Sequence, residues 1–261
     1  MAVSWRTGSP RDRLRVFGPG GLVSSSRADL KGELGVQSIR IWVVIPAFNE
    51  AEVAAAVTRG VRAVHRHVVV VDDCSSDGTA AVAHSAGAVV LRHPINLGQG
   101  AALQTGIDYA LAHGADYVVT FDADGQHRVE DIGVLLDVQR KTGADVVVGS
   151  RFLGTAENIP LMRRTLLKLA ILFTRITSGA KLTDAHNGLR LLSRFAAERV
   201  QITQNRMAHA SEITRQCQEL RLSVAEAPVT VVYTEYSLRK GQKASNALNI
   251  LAELISARLS K

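Results

Sequence analysis

Five short apolar runs, rich in valine and each followed by a stretch with helical spacing, dominate the first half of the chain: residues 39–46 (IRIWVVIP), 67–73 (HVVVVDD), 88–93 (AVVLRH), 117–122 (YVVTFD) and 145–150 (DVVVGS). Runs of this length and β-branched content predict buried strands, and their alternation with helices predicts βαβ units in a mostly parallel sheet. The stretch DGTAAVAHSAG begins with Asp77 and Thr79 at a helix start and stops at Gly87, and residues 98–114 run from a glycine-rich turn to Gly114. Those are helix start and stop signals. The second half is less regular. Helices are expected over 161–177, 208–222 and 246–259, the last amphipathic, and a strand pair or one long strand over 223–235. Residues 1–38, rich in Gly, Ser, Pro and Arg and without a sustained period, predict a flexible basic tail.

With 261 residues and 46% hydrophobic content, the chain is long enough to bury a core without staples. Its two cysteines, Cys74 and Cys217, show neither disulfide nor zinc spacing, which fits a reduced cytosolic compartment. The start lacks the apolar core of a secretion signal, and no run of about 18 apolar residues marks a membrane span. The net charge of +7 is uneven. Residues 1–40 hold seven Lys and Arg against three Asp and Glu, residues 41–150 seven against thirteen, and residues 151–261 seventeen against eight. The basic half lacks interleaved aromatics and any base-reading motif, so phosphate or an anionic membrane suits it better than nucleic acid.

The candidate chemistry lies where strands end. Asp122 and Asp124 stand at i and i+2 after the 117–122 run, so an extended backbone turns both carboxylates the same way, with Ala123 between them. Such a pair suits Mg²⁺ or Mn²⁺ bridging to a diphosphate, and Gln126 and His127 add ligand-capable groups. Asp72 and Asp73 follow the 67–73 run in the same way; a carboxylate there accepts from a ribose hydroxyl or base N–H, or else Asp73, Ser75 and Asp77 cap the next helix.

Six blocks taken in order, VVIPAFNE (43–50), VVVVDDCSSDGT (68–79), HPINLGQGAALQTGIDYA (93–110), FDADGQH (121–127), VVGSRF (147–152) and DAHNGLRLLSR (184–194), closely resemble family 2 glycosyltransferases of the GT-A fold. Within that family they are most similar to the dolichyl- or polyprenyl-phosphate glycosyltransferase branch. The resemblance covers about residues 40–243 and implies a GT-A domain over 39–243, with a nucleotide-sugar and metal half (39–150) and an acceptor half (151–243). It implies donor binding by Pro46, Phe48 and Glu50, by Asp72 and Asp73, by Gly98 and Gln99, and by Asp122, Ala123 and Asp124. Asp122, Asp124 and Gln126 match the family's metal block, which implies Mg²⁺ or Mn²⁺. Phe48 stands in place of the usual Tyr, Cys74 in place of Gly or Asn, Gln99 in place of a common Lys and Gly125 in place of a common Leu.

Arg151, Arg190, Arg239, Lys240 and Lys243 carry over as cations for the acceptor phosphate, the last three on a loop (236–245) that closes over donor and acceptor. Arg151, Arg239 and Asp184 are the implied catalytic residues, Asp184 either touching the reacting sugar or anchoring its loop. Glu212 matches a family glutamate and equally suits a solvated helix face. Tyr233, Tyr236 and His186 read as packing or loop residues. The implied reaction is an inverting sugar transfer from a UDP- or GDP-linked donor to a lipid phosphate, the alternative being a saccharide or small-molecule hydroxyl in cell-envelope polysaccharide synthesis. A Mg²⁺-binding receiver domain and a non-catalytic nucleotide-sugar module are the remote alternatives; the former leaves the basic half without work. Apolar residues of 163–176 bordered by Arg and Lys, a composition suited equally to a membrane interface and to a core helix, fit a cytoplasmic enzyme peripheral to the membrane's inner face. It would dock there directly or on a small integral membrane protein.

Overall fold

In the computed structural model, residues 39–161, 182–205 and 208–240 are described, with 16–18, 21–23 and isolated positions of 164–171. All five valine-rich runs form strands: β3 (Ile41–Ala47), β4 (His67–Asp72), β5 (Val89–Arg92), β6 (Tyr117–Thr120) and β7 (Val146–Glu157). β8 (Arg190–Ser193) and β9 (Val224–Val232) complete a seven-stranded sheet in the order β5-β4-β3-β6-β8-β7-β9. All strands run the same way except β8, which is antiparallel to both β6 and β7. Among the residues preceding Arg40, β1 (Val16–Gly18) and β2 (Gly21–Val23) pair as a short hairpin, in a stretch expected to lack structure.

The helices between strands are α1 (Ala51–Val64), α2 (Thr79–Ser85), α3 (Gln99–Ala112) and α4 (Asp131–Thr142), followed by α5 (Arg194–Ala197), α6 (His209–Glu219) and α7 (Glu235–Lys240). They cover both sheet faces, which is why the strands read as unbroken apolar runs. One face packs Val44, Val71, Val118, Val148 and Leu192 against Ile107 and Ile213; the other packs Val43, Ile45, Val70, Val147 and Leu191 against Ile132 and Leu135.

Of the two forms expected for 223–235, the one long strand is present, paired with β7 on either side of an irregularity between Ser150 and Thr155, which also carries β7 well beyond residue 150. The 236–245 loop begins as the helix α7. The helices expected over 161–177 and 246–259 lie largely and wholly outside the described residues, as does Lys243. Among the described residues no helix is long and apolar enough to cross a membrane.

Strand order reverses between β3 and β6: β4 and β5 lie to one side of β3, the later strands to the other. A crevice opens beyond the carboxyl ends at such a switch point. Glu50 follows β3, Asp72 and Asp73 close β4, and Asp122 and Asp124 follow β6, so the topology alone gathers these five carboxylates and the turn around Phe48 at one edge.

Candidate active site

Asp122 is held from two sides. Gln99 Nε2, on the first turn of α3, donates to its Oδ1 at 3.1 Å, and His127 Nε2 donates to its Oδ2 at 3.0 Å. Gly188 passes so close that a Cβ built on it would lie 2.0 Å from Asp122 Oδ2. Burial opposes ionisation of Asp122, but the bond and charge of His127 more than offset it and bring the pKa down. Asp124 goes the other way. Burial and then the charge of Asp122 push it up to about 6, against a lesser pull from the backbone N–H of Gln126 on its Oδ1. One carboxylate is thus strongly acidic and its neighbour is penalised for ionising, an excess of negative charge that a divalent cation relieves. Gln126 is buried and its Nε2 has no hydrogen-bond partner among the described residues. Among the described residues no three His, Cys, Asp or Glu groups converge as a metal cluster, so Asp122, Asp124 and Gln126 would supply part of an oxygen-rich shell and leave positions for diphosphate and water.

Asp72 and Asp73 sit at the expected edge, Asp73 with both oxygens hydrogen-bonded inside the chain and Asp72 with Oδ2 lacking a hydrogen-bond partner among the described residues. Asp72 Oδ1 accepts from Ser75 N, and its Oδ2 lies 3.1 Å from Arg92 Nε. Asp73 Oδ1 accepts from His93 Nδ1 at 2.7 Å and Leu97 N at 2.9 Å, and its Oδ2 from Gly98 N at 2.6 Å. Asp73 therefore shapes the turn before α3, which Gly98 enters at φ 104°, backbone that glycine tolerates and β-carbons resist. Neither carboxylate caps α2. Of the residues expected to cap it, Asp77 accepts from Thr79 N, at the first residue of the helix, and also from Ala51 N at the start of α1.

Pro46 is buried in β3, and Phe48 beyond it is 44% exposed. Glu50 is clasped by α7. Tyr236 OH donates to its Oε2 at 2.6 Å, Lys240 Nζ lies 2.8 Å from its Oε1, and the same Nζ donates to the carbonyls of Phe48 and Asn49. Arg239 pairs with Glu52 at 3.0 Å. Burial and Glu50 together raise the Tyr236 pKa. Tyr236, which sequence reasoning set aside as packing, thus fastens the strap, and its one signal was its place beside the basic run.

In the second half of the chain, Asp184 is fully buried. Its Oδ2 accepts from Arg151 Nε at 2.6 Å, Arg151 N at 3.0 Å and Asn187 Nδ2 at 3.2 Å; its Oδ1 is buried without a partner among the described residues. Arg151 Nη1 donates to Tyr233 OH at 2.6 Å, so a second tyrosine set aside as packing fixes a site residue. Burial lowers the Arg151 pKa and Asp184 more than restores it, leaving it raised. Arg190 stands apart, 2% exposed on β8 and donating through Nη2 to Ala185 O. Glu212 is no solvated helix face: it is buried and accepts from Thr203 N and Gln204 N, tying that loop to α6. Burial brings His186 down to about 4.

The mostly parallel seven-stranded sheet with flanking helices, and the acidic pair at its switch point, agree with the GT-A fold that the six blocks implied. The solved structures agree on the fold: glucosyl-3-phosphoglycerate synthase from Mycobacterium tuberculosis, in complex with Mn²⁺, uridine diphosphate and glucosyl-3-phosphoglycerate, superposes with a TM-score of 0.66 at 17% identity, over 92% of this chain and 85% of that one. The family model Glycosyl transferase family 2 matches residues 42–201. Among curated proteins, the UDP-N-acetylglucosamine–dolichyl-phosphate N-acetylglucosaminyltransferase of Methanococcus voltae is 29% identical over 85% of this chain and 97% of its own. The polyprenol monophosphomannose synthase of Mycolicibacterium smegmatis is 32% identical over 82% and 86%. The chain belongs to glycosyl transferase family 2, on the branch of these two relatives, and is a glycosyltransferase.

Proposed function

We propose that the enzyme moves a sugar from a UDP- or GDP-linked donor to the phosphate of a polyprenyl, dolichyl-like lipid, with inversion at the anomeric carbon. The observation that carries this reading is the commitment of Asp184. A hydroxyl acceptor needs a general base, and the base candidate in the acceptor half is sealed from solvent, its Oδ2 accepting three bonds, two of them from Arg151, and its unpartnered Oδ1 buried out of reach of an acceptor. A phosphate acceptor is already anionic and needs none. Its oxygen attacks the anomeric carbon as the bond to the diphosphate breaks, the electron pair leaves on the diphosphate, and no proton has to move. The names of the two curated relatives point to the same acceptor class.

Phe48 offers an exposed ring face for the nucleobase. Asp122 and Asp124, with Gln126, would hold Mg²⁺ or Mn²⁺, which supplies charge neutralisation for the departing diphosphate. Asp184, Asn187 and Tyr233 hold the Arg151 guanidinium and its loop rigid toward the acceptor phosphate. Arg239 and Lys240 rest on Glu52 and Glu50, and bound phosphates would draw them, with Lys243, onto the substrates. The enzyme works at the cytoplasmic face of the membrane, docked on the bilayer or on a small membrane protein.

The test is a screen of UDP- and GDP-sugars for thermal stabilisation with and without Mn²⁺, followed by turnover on a short polyprenyl phosphate, the matching polyprenol and free saccharides. Turnover confined to the phosphate is expected. Equal turnover of polyprenol would refute the acceptor assignment, and donor stabilisation unchanged in an Asp122→Asn, Asp124→Asn variant would refute the metal site.

A further inference from the structure

The first turn of α3 carries Gln99, whose amide holds one oxygen of Asp122, and the segment between α5 and α6 lies across that turn. Gly100 N donates to Asn205 O at 2.8 Å, and about one helical turn further along Gln104 Oε1 accepts from Ile202 N at 2.7 Å. The approach leaves no space between them. A Cβ built on Gly100 would lie 2.1 Å from the Gln204 carbonyl oxygen and 3.1 Å from Cβ of His209, at the start of α6. The absence of a side chain at position 100 is what admits the contact.

Gln216 and Gln104 fasten residues 201 and 202. Residues 203 and 204 are fastened by Glu212, which is on α6 and 5% exposed. Its Oε2 accepts from Thr203 N at 3.0 Å and Gln204 N at 2.9 Å, and its Oε1 accepts from the Thr203 hydroxyl. Without that carboxylate two backbone N–H groups and a hydroxyl lose their acceptor, and the Asn205 carbonyl that follows them loses its bearing on Gly100. A continuous chain of contacts therefore runs from α6 to the acidic pair: Glu212 to Thr203 and Gln204, Asn205 to Gly100, and Gln99 to Asp122. Groups that orient a metal's ligands without touching the metal matter nearly as much as the ligands, and losing one costs about 10–100-fold in metal affinity or activity.

We propose that Glu212 is a positioning residue of the metal site: through residues 203–205 and the first turn of α3 it fixes Gln99, and through Gln99 the orientation of Asp122. The proposal rests on the assignment of Asp122 and Asp124 to the divalent ion. Isothermal titration calorimetry of Mn²⁺ into the full chain, with UDP saturating, tests it. Glu212→Ala should weaken Mn²⁺ on the order of tenfold. Glu212→Gln should stay within about twofold of the parental value, because the amide oxygen takes both N–H bonds and the NH₂ donates to the Thr203 hydroxyl oxygen. Gln99→Ala should also weaken Mn²⁺, and adding Glu212→Ala to it should cost no more than about a further twofold, since the two act through one link. Amide exchange gives a readout independent of the metal: the Gly100 N–H should exchange faster in Glu212→Ala, with β3 unchanged. Should Glu212→Ala fail to fold, Gly100→Ala carries the same Mn²⁺ expectation, because a helix favours the alanine and the Gln204 carbonyl does not admit it. The proposal is overturned if the folded Glu212→Ala or Gly100→Ala protein binds Mn²⁺ at parental affinity, if Glu212→Gln falls as far as Glu212→Ala, or if the losses from Gln99→Ala and Glu212→Ala add in full. Parental Mn²⁺ affinity in Asp122→Asn is a different failure: it refutes the metal site itself, and with it the site that Glu212 would serve.

Discussion

Replacing Gly188 with alanine adds a single methyl group, and the structure says where it goes. The new Cβ would stand 2.0 Å from Asp122 Oδ2, 2.5 Å from its Cγ and 2.6 Å from its Oδ1. Ordinary van der Waals contact begins at 3.4 Å, so the carboxylate or the β8 entry has to move by more than 1 Å. The carboxylate is the movable partner, because Gly188 is pinned between Asn187, which contacts Asp184, and a carbonyl that accepts from Thr120 Oγ1 at 2.6 Å. Moving it breaks the bonds from Gln99 and His127. A misplacement of about 1 Å in reacting geometry costs on the order of 100-fold in rate, or about 2.7 kcal/mol of transition-state stabilisation. Gly188→Ala should therefore lose about two orders of magnitude in kcat/KM and bind Mn²⁺ more weakly in the presence of UDP. Its thermal midpoint should fall by only a few degrees, since no core side chain is lost. The control is Gly133→Ala, in the first turn of α4 with open space around its Cβ, which should gain at most about 1 kcal/mol and keep full activity. Parental Mn²⁺ affinity and turnover in a folded Gly188→Ala protein would refute the assignment of Asp122.

Asp184→Asn should destabilise the fold by about 3–5 kcal/mol in chemical denaturation, because it leaves Arg151 buried without its counter-charge. Arg151→Lys, which keeps a cation beside Asp184, should lose less stability than Asp184→Asn but still lose activity, since an ammonium cannot serve Asp184 and Tyr233 as the guanidinium fork does. The pH dependence has a defined sign. Asp124, raised from 3.8 to about 6, binds more protons folded than unfolded, so its contribution to apo stability falls as pH rises from about 4 to 6. The affinity for Mn²⁺ should rise over the same window, measured by calorimetry at fixed ionic strength. His186, lowered to about 4, contributes stability above pH 6.5 that is lost as pH falls toward 4. Tyr236→Phe should release α7, seen as faster amide exchange over 235–240 with α3 unchanged.

The parallel half of the fold was legible because strands buried on both faces show as uninterrupted valine runs, and glycines marked the ends of α2 and α3. β8 was hidden: it is four residues long, carries Arg190, and lies within a stretch whose motif drew the eye to chemistry. The length of β7 was hidden too, because residues 151–157 owe their extended form to pairing with β9, some 75 residues away. Asp122 and Asp124 were legible from spacing at a strand end. What spacing could not show is the use of Asp73, whose partners His93, Leu97 and Gly98 are 20 to 25 residues distant. Tyr233 and Tyr236 escaped notice because a tyrosine hydroxyl reaching an arginine or glutamate leaves no periodic trace.

The lone antiparallel strand bears on synthesis. β6 lies mid-sheet, yet its partner Arg190–Ser193 emerges 70 residues after Thr120. At about 5–20 residues per second, the ribosome leaves that valine-bearing edge without its neighbour for roughly 4–14 s. A nascent chain halted near residue 150 would present a bare seam to other chains.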